Sequence, residues 1–222
     1  MEKIKYASFN KTSYETHRIV LNLVKPNKKI LDLGCATGYF AKELREKNCI
    51  TYGVEINKAA ALIARKSCKK VYTGDIENLS KIKIPYKFFD YILLLDILEH
   101  LKNPQTVLKE VVNLLKKDGE VIIAIPNFAH ISVRFALLFG NLDYSEAGIL
   151  DKNHLRFFTK KSFLGLLKNA DLKVKSLDYS ADFGQIPFLG RFLKKLNKRW
   201  QYLITRRFNS FLAIQFIGVC GY

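Results

Sequence analysis

A short apolar run that opens directly into a glycine-containing turn restricts the fold of this sequence more than any other feature. The run Lys29–Leu33 is followed by the turn GCATG at residues 34–38, after which apolar residues recur at helical spacing. That order predicts a strand, a tight turn and a helix. Gly34 and Gly38 would let the backbone approach a ligand at the carboxyl end of the strand, where open α/β sheets bind their ligands. The turn therefore predicts a ligand site.

The alternation of strand and helix continues along the chain. Strands are predicted at Ile50–Glu55, 71–73, Phe89–Leu95 and 120–125, and helices at 58–66 and 107–115, the second ended by Asp118 and Gly119. The strands are almost continuously apolar, which is typical of parallel strands covered by helices on both faces. The pattern predicts a doubly wound α/β sheet.

Beyond Asn127 the pattern is less regular. A helix is predicted at 131–139, then a polar loop, then a helix at Lys160–Asn169 that Thr159 caps. Strand character follows at 172–179 and 211–220.

Length and composition are those of one packed enzyme-sized domain, residues 1–222. Hydrophobic residues make up 49% and charged residues 26%, which excludes wholesale disorder. The four cysteines are widely spaced without a CxxC pair, so we expect reduced thiols, no zinc knuckle and no metal. The sequence shows no signal-peptide pattern and no stretch of about 18 uncharged apolar residues. We expect a cytoplasmic protein, with attachment to the inner face of the membrane as the alternative.

The composition of the turn decides among the cofactors that such a sheet can bind. A P-loop would need Gly-Lys-Ser/Thr, and the dinucleotide fingerprint would need glycine where Ala36 stands. Asp32 would repel a pyrophosphate but suits a ligand with an ammonium and a sulfonium group. S-adenosylmethionine is such a ligand. A nicotinamide-dependent oxidoreductase would share the fold, but Ala36, Asp32 and Asp75 argue against it.

The segment DLGCATG at residues 32–38 resembles the first motif of the class I S-adenosylmethionine-dependent methyltransferases, and the resemblance covers nearly the whole chain. It implies a Rossmann-like, doubly wound sheet of seven mostly parallel strands with the final strand inserted antiparallel. It also implies S-adenosylmethionine as the cofactor and S-adenosylhomocysteine as the product.

The resemblance further implies which residues hold the cofactor. Asp32 would lie behind the methionine moiety, Glu55 would accept from the ribose hydroxyls, and Asp96 would lie beside the methionine. Asp75 and Ile76 match the position that meets adenine. The full set is Asp32, Gly34, Cys35, Ala36, Gly38, Glu55, Ile56, Asp75, Ile76 and Asp96.

Two histidines are candidate bases for an acceptor hydroxyl. His100 follows the fourth predicted strand, in a Glu-His pair that similar methyltransferases often carry, and its alternative role is to shape the pocket. His154 lies in the segment 143–159, which resembles a segment of a subgroup tied to cell-surface glycan or secondary metabolism. In this loop Asp143, Tyr144, Asp151 and Arg156 are the predicted acceptor-binding residues. The alternative is a self-capped loop in which Asp151 and Arg156 pair. A weaker hypothesis places Tyr6 and Arg18 in an N-terminal lid.

A basic amphipathic helix is predicted as an insertion at about residues 185–208. The net charge is +17, and seven cationic residues but no acidic ones follow Asp182. The favoured interpretation is that the apolar stripe packs on the domain and the charges face solvent. The alternatives are contact of residues 188–207 with an anionic membrane, or binding of nucleic acid. Nucleic acid is disfavoured, because no DPPY-like motif follows the fourth strand and no cysteine ends the fourth or fifth.

These patterns predict a methyltransferase that acts on a small-molecule, glycan or lipid-linked acceptor, most plausibly on oxygen. The alternatives are a cofactor-binding scaffold or regulatory subunit without turnover, and an RNA methyltransferase. The sequence makes no prediction of oligomeric state.

Overall fold

Seven strands form one sheet in a computed structural model that describes residues 8–222. The strands are β1 (Lys29–Leu33), β2 (Ile50–Glu55), β3 (Lys70–Thr73), β4 (Phe89–Leu95), β5 (Leu115–Pro126), β6 (Lys173–Ala181) and β7 (Ala213–Gly221). Their order is β3-β2-β1-β4-β5-β7-β6. The first five strands pair in parallel, and β7 pairs antiparallel with both β5 and β6. The predicted seven-stranded, mostly parallel α/β sheet is confirmed.

Nine helices occur within the described residues. They are α1 (Thr16–Leu23), α2 (Tyr39–Arg45), α3 (Lys58–Ala64), α4 (Pro104–Val112), α5 (Ile131–Leu138), α6 (Lys160–Asn169), α7 (Gly190–Leu193), α8 (Lys198–Arg207) and α9 (Asn209–Leu212). Short 3-10 turns lie at Ile76–Lys81, Leu98–His100 and Phe183–Gln185. None of the helices in this part of the chain is long and apolar enough to cross a membrane.

The core lies on both faces of the sheet. Leu31 and Leu33 of β1 pack on one face with residues of α4 and α6. Ile30, which points the other way, packs with residues of α1 and α2. Since successive side chains of a strand alternate between faces, a strand that is buried on both sides must be apolar throughout. This explains why the sequence pattern of these strands was continuous.

The boundary between α4 and β5 differs from the prediction. Helix α4 ends at Val112, and Asp118 and Gly119 lie inside β5 rather than ending a helix. The pairing of β5 with β4 shifts at this point. A Cβ on Gly119 would lie 3.0 Å from the carbonyl oxygen of Phe89, so the glycine permits a close approach of the two strands. The apolar spacing at 107–115 did not distinguish the helix end from the strand start.

Two helices occupy the basic insertion where the spacing predicted one. Helix α7 and helix α8 are separated by residues 194–197, and the side chain of Asn197 accepts from the backbone N–H of Arg199 at 2.9 Å. Asn197 therefore begins a new helix, as an N-cap does. Further on, residues 211–212 belong to α9, and the last strand starts at Ala213.

The strand order creates a cleft at the carboxyl edge of the sheet. β1 lies between β2 and β4, so the chain leaves β1 toward one side and returns to its other side at β4. Ligands of doubly wound sheets bind at such a switch point. The turn at 34–38 and the residues after β4 both lie there.

Replacing Gly38 with alanine should destabilise the fold more than the same change at Gly165. Gly38 has φ +74°, and a Cβ there would lie 3.0 Å from the Cα of Ala64 in α3. We expect Gly38→Ala to lower the free energy of unfolding by about 1–3 kcal/mol, through left-handed backbone strain and crowding. Urea denaturation followed by circular dichroism measures it.

Gly165→Ala is the matched control. Gly165 lies within α6 with open space around its would-be Cβ, so alanine should raise stability by about 0.5–1 kcal/mol. Equal effects of the two substitutions would show that the turn does not need its glycine.

Candidate active site

The turn after β1 is held by hydrogen bonds to the end of β2. The backbone N–H groups of Gly34 and Cys35 both donate to the carbonyl of Val54, at 2.8 and 3.1 Å. Gly34, Ala36 and Gly38 all have positive φ, so every second residue of the turn lies outside the backbone region that most residues adopt. The result is a sharp connection whose outer side faces the cleft.

Glu55 connects this turn to the second strand. Its carboxylate accepts from the N–H of Ala36 at 2.9 Å and from the N–H of Asn57 at 2.8 Å. A carboxylate has about four acceptor positions, so two remain for a ligand with adjacent hydroxyls. Ile56, the next residue, is exposed beside it. This geometry fits a ribose.

Asp32 is buried at the end of β1. Burial, with the nearby Glu55 carboxylate, raises the pKa of its carboxyl to about 7. A cationic ligand would favour the ionised form and lower that pKa again. Asp32 therefore fits the positive methionine part of the cofactor.

Asp75 and Ile76 follow β3 and begin the next short 3-10 turn. The carboxylate of Asp75 accepts from the N–H of Glu77 at 2.9 Å and so caps the 3-10 turn at Ile76–Lys81. The Cδ1 of Ile76 lies 3.9 Å from where a Cβ of Gly34 would stand. Ile76 is thus close enough to the turn to cover the face of a bound base.

Cys35 contributes its backbone rather than its thiol. Its side chain is buried in a small cluster with Ala41, Ala64 and Cys68. Contact with Cys68, then burial, raises the pKa of the Cys35 thiol above its usual value. Only the main chain of Cys35 is placed to meet a ligand.

Asp96, directly after β4, lines a cavity of about 130 Å³ together with residues of β5, β7 and the loop between α5 and α6. Its lining residues are Asp96, Pro126, Gly148, Ile149, His154, Ile214 and Gln215. Asp96 has φ +54° and accepts a hydrogen bond from the side-chain amide of Gln215. Burial raises the pKa of its carboxyl to about 6. The cavity thus joins the ends of β4 and β5 to the start of β7.

The structure brings both predicted histidines together. The rings of His100 and His154 meet edge to face with centroids 4.8 Å apart. The Nδ1 of His100 lies 3.0 Å from the carbonyl of Asn153, and the Nδ1 of His154 lies 3.1 Å from the carbonyl of Ile149. A carbonyl can only accept, so Nδ1 carries the proton and Nε2 is the basic nitrogen of each neutral ring.

Glu99 is a buried acid that our sequence analysis noted only as the neighbour of His100. Its side chain is 1% exposed, and both carboxyl oxygens have no hydrogen-bond partner among the described residues. One of them lies 4.0 Å from the Nε2 of His154. Burial, and next the Asp96 carboxyl, raise the pKa of Glu99 well above its usual value. Such a carboxyl is ready to stabilise a positive charge on the histidine.

Glu99, His100 and His154 also offer three potential metal ligands within 4.8 Å of one another. That spacing suits a divalent cation as well as a proton acceptor. The sequence predicts no metal, and this stays a prediction.

The four predicted acceptor-binding residues have different surroundings. Asp143 and Tyr144 are exposed on the loop, whereas Asp151 is buried and accepts from the N–H of Asn153 at 2.9 Å. The guanidinium of Arg156 donates to the carbonyl of Lys102, which ties the loop to the segment after β4. None of the four lines the 130 Å³ cavity. Their role in acceptor binding stays a prediction.

Gln215 lines this cavity, although no sequence signal indicated it. Thr16 donates to its side-chain oxygen, and its amide group donates to Asp96, so it links α1 to the site. Only the register of β7 on β5, with Gln215 opposite Pro126, places it there. Of the predicted lid, Arg18 is exposed on α1, and Tyr6 lies outside the described residues.

A family model described as a methyltransferase domain matches residues 6–177. The chain belongs to this methyltransferase family. With the sheet order and the turn described above, it is a class I S-adenosylmethionine-dependent methyltransferase.

Similar proteins agree with this assignment. An uncharacterized protein of Methanocaldococcus jannaschii is 33% identical over 54% of this chain and 56% of its own length. A ubiquinone biosynthesis O-methyltransferase of Glaesserella parasuis is 29% identical over 45% of this chain and 46% of its own length. The chain therefore spans about half the length of these curated relatives.

Solved structures share the fold. A Thermotoga maritima S-adenosylmethionine-dependent methyltransferase, described as a possible histamine N-methyltransferase, superposes with a TM-score of 0.64 at 21% identity. The alignment covers 94% of this chain and 88% of that one. At this identity the likeness shows the architecture alone.

Cofactor binding should release a proton from Asp32. With a pKa of about 7, the carboxyl is largely protonated near pH 6, and the cationic cofactor favours the ionised form. We expect affinity for S-adenosylmethionine to rise about fivefold from about pH 6 to about pH 7. Calorimetry in two buffers of different ionisation enthalpy measures both affinity and proton release.

Asp32→Asn should reduce the proton release and leave only the part that Asp96, with a pKa of about 6, contributes, whereas Asp118→Asn in β5 should leave the release unchanged. Glu55→Ala should weaken S-adenosylmethionine binding, and NAD should not bind the wild type. Proton uptake, or a release at about pH 7 that Asp32→Asn leaves undiminished, would contradict the role of Asp32.

Proposed function

We propose that this methyltransferase transfers the methyl group of S-adenosylmethionine to a hydroxyl of a small-molecule, glycan or lipid-linked acceptor. The observation that supports it most directly is the contact between His100 and His154 beside Asp96, at the carboxyl edge of the sheet. A hydroxyl must lose its proton on methylation, and histidine titrates near neutral pH. An acceptor that loses no proton on methylation would not need this pair as a base.

The cofactor residues proposed are those of the turn, with Glu55, Ile56, Asp75, Ile76 and Asp96. Bound S-adenosylmethionine would supply an electrophilic methyl group. The protein would hold it through Glu55 at the ribose and Asp32 at the methionine end, and would cover the base with Ile76. Displacement at such a methyl group depends mainly on alignment and exclusion of water. The chain's own task is therefore positioning and proton removal.

His154 is the proposed proton acceptor. It lines the cavity with Asp96, and its Nε2 faces the Glu99 carboxyl at 4.0 Å. As the proton arrives, the ring would become cationic, and that charge would lower the raised pKa of the nearby Glu99 carboxyl. His100 packs against the ring edge and would hold its orientation. Asp143, Tyr144, Asp151 and Arg156 are proposed to contact the outer part of the acceptor.

Replacing the histidines should separate rate from cofactor binding. We expect His154→Gln to lower kcat by about 10²–10⁴-fold and His100→Gln to lower it less, because proton transfer is lost while the cofactor side is untouched. Affinity for S-adenosylmethionine should stay within about twofold. Single-turnover kinetics and calorimetry measure the two quantities.

Lys152→Ala is the control in the same loop, since Lys152 is exposed and pairs with Glu146 at 2.7 Å. It should leave both quantities unchanged. Unchanged kcat in both histidine variants would rule out a base role for the pair.

The acceptor class can be tested with methyl-labelled cofactor and a small panel of probes. The panel consists of a catechol, a hydroquinone with and without an isoprenoid tail, a hexose, histamine and a short RNA. The name of the O-methyltransferase relative favours the hydroxyl probes. Label on a hydroxyl supports the proposal, whereas label only on nitrogen, carbon or RNA contradicts it. Cofactor binding without transfer to any probe, in cell extract as well, would favour the non-catalytic scaffold.

Metal removal distinguishes the two uses of the Glu99, His100 and His154 cluster. If the histidines act as a proton acceptor without metal, prior dialysis against EDTA should leave kcat unchanged within about twofold. Loss of activity that Zn²⁺ or Mg²⁺ restores would show that the cluster holds a cation, and the no-metal proposal would be wrong.

A further inference from the structure

Helix α8 turns polar side chains toward the protein and apolar side chains toward solvent. Gln201 is fully buried; its side chain accepts from the N–H of Phe183 at 3.1 Å and donates to the carbonyl of Leu196 at 2.8 Å. Thr205 is also fully buried, whereas Trp200 is 63% exposed. A surface helix normally has the opposite arrangement. The apolar face of α8 is therefore not the part that packs on the domain.

Exposed apolar side chains extend from α8 to the end of α5. We call the exposed side chains of residues 137–139 and 188–208 the insertion surface. Phe188 is 81% and Leu138 77% exposed, and the ring of Phe135 contacts that of Phe188 at 5.0 Å, which joins the two segments. The exposed apolar members are Leu137, Leu138, Phe139, Phe188, Leu189, Phe192, Leu196, Trp200, Leu203, Ile204 and Phe208. So many adjacent apolar side chains mark a docking surface.

The charge of the insertion surface is positive throughout. Seven cationic residues and no acidic ones follow Asp182. Six of them are exposed: Arg191, Lys194, Lys195, Arg199, Arg206 and Arg207. The seventh, Lys198, is partly buried and lies 3.6 Å from Asp182. The partner of this surface must therefore combine negative charge with an apolar layer.

The insertion surface is connected along the chain to the cavity beside Asp96. Helix α5 follows β5, whose last residue Pro126 lines the cavity. The insertion runs through α9 into Ile214 and Gln215, which line the same cavity. Asn127 joins the two segments by donating to the carbonyl of Ala213 at 2.9 Å. The two segments that carry the insertion surface are therefore the same two that supply Pro126, Ile214 and Gln215 to the cavity.

We propose that the insertion surface docks on an anionic lipid bilayer, with Phe188, Phe192 and Trp200 entering the interface and the exposed Lys and Arg side chains meeting the headgroups. Aromatic and aliphatic side chains beside cations are what an interfacial segment requires. A second copy of the chain would oppose cations with cations. Nucleic acid would match the charge but would leave the aliphatic side chains in water.

This proposal extends the proposed function, because it makes the acceptor a membrane-resident amphiphile. Its test needs neither cofactor nor acceptor, so it can fail while methyl transfer stands, and the reverse. Trp200 is the only tryptophan of the chain, and it lies on the insertion surface. Its fluorescence therefore reports directly on insertion.

The full chain would be titrated with vesicles of phosphatidylcholine and with vesicles of phosphatidylcholine and phosphatidylglycerol. We expect a blue shift of Trp200 emission and co-sedimentation with the anionic vesicles, both strongly reduced by salt and weak with phosphatidylcholine alone. Lys194→Glu with Lys195→Glu should weaken vesicle affinity about 25-fold or more. Phe188→Ser with Phe192→Ser should remove the blue shift.

Matched controls lie at the far edge of the sheet. Tyr86→Ser removes a side chain that is 70% exposed beside β3, and Lys81→Glu with Lys83→Glu makes the same change in net charge there. Both should leave vesicle binding unchanged. Circular dichroism confirms that each variant is folded.

Several results would overturn the proposal. The first is that the protein does not bind anionic vesicles, and the second is that the control variants lose as much vesicle affinity as the variants of the insertion surface. The third is a blue shift that depends on protein concentration, together with a dimer in sedimentation equilibrium. Binding of a single-stranded RNA without binding of anionic vesicles would assign the surface to nucleic acid instead.

Discussion

The carboxylate of Glu55 is the contact on which the cofactor side of the molecule depends. The carboxylate accepts a hydrogen bond from the N–H of Ala36, which has φ +47° although it is not a glycine. Such a backbone conformation costs about 1–2 kcal/mol, whereas a hydrogen bond to a charged acceptor stabilises by about 1.5–3 kcal/mol. The contact is thus large enough to offset the strain. It fixes the turn after β1 against the end of β2, so the cleft is already shaped before a ligand enters.

Buried acids give the rest of the site its electrostatic character. Asp32, Asp96 and Glu99 all resist ionisation, in each case first because burial removes water from the carboxyl. Each of them therefore gains from an adjacent positive charge. In the proposed reaction, a cationic methionine end near Asp32 and a histidine that gains a proton near Glu99 would be such charges. Burial disfavours the ionised form of these acids when no positive charge is near, and the same burial makes a nearby positive charge stabilise them strongly.

The cofactor side could be predicted from the sequence because it is local. Strand, turn and helix follow one another within residues 29–45, and the acids of β2 and β3 occur at the expected strand ends. The acceptor side is assembled from distant segments. Gln215 reaches Asp96 only through the pairing of β7 with β5, and Glu99 meets His154 only because the loop folds back. No spacing within the sequence carries that information.

Periodicity was also ambiguous in the basic insertion. It shows that one face of a helix is apolar, but not which face meets the core. In α8 the polar residues Gln201 and Thr205 are buried, which a hydrophobic pattern cannot foresee. The side chain of Gln201 accepts from the N–H of Phe183 and donates to the carbonyl of Leu196, so its buried amide is hydrogen-bonded.

The position of β7 between β5 and β6 imposes an order on biosynthesis. β6 leaves the ribosome before β7, but it can join the sheet only by pairing with β7. Until then β5 presents an unpaired edge, and the nascent chain carries the unpaired strand β6 just before the basic insertion. The cavity beside Asp96 can close only after that pairing, so an incomplete chain could shape its cofactor turn well before it could select an acceptor.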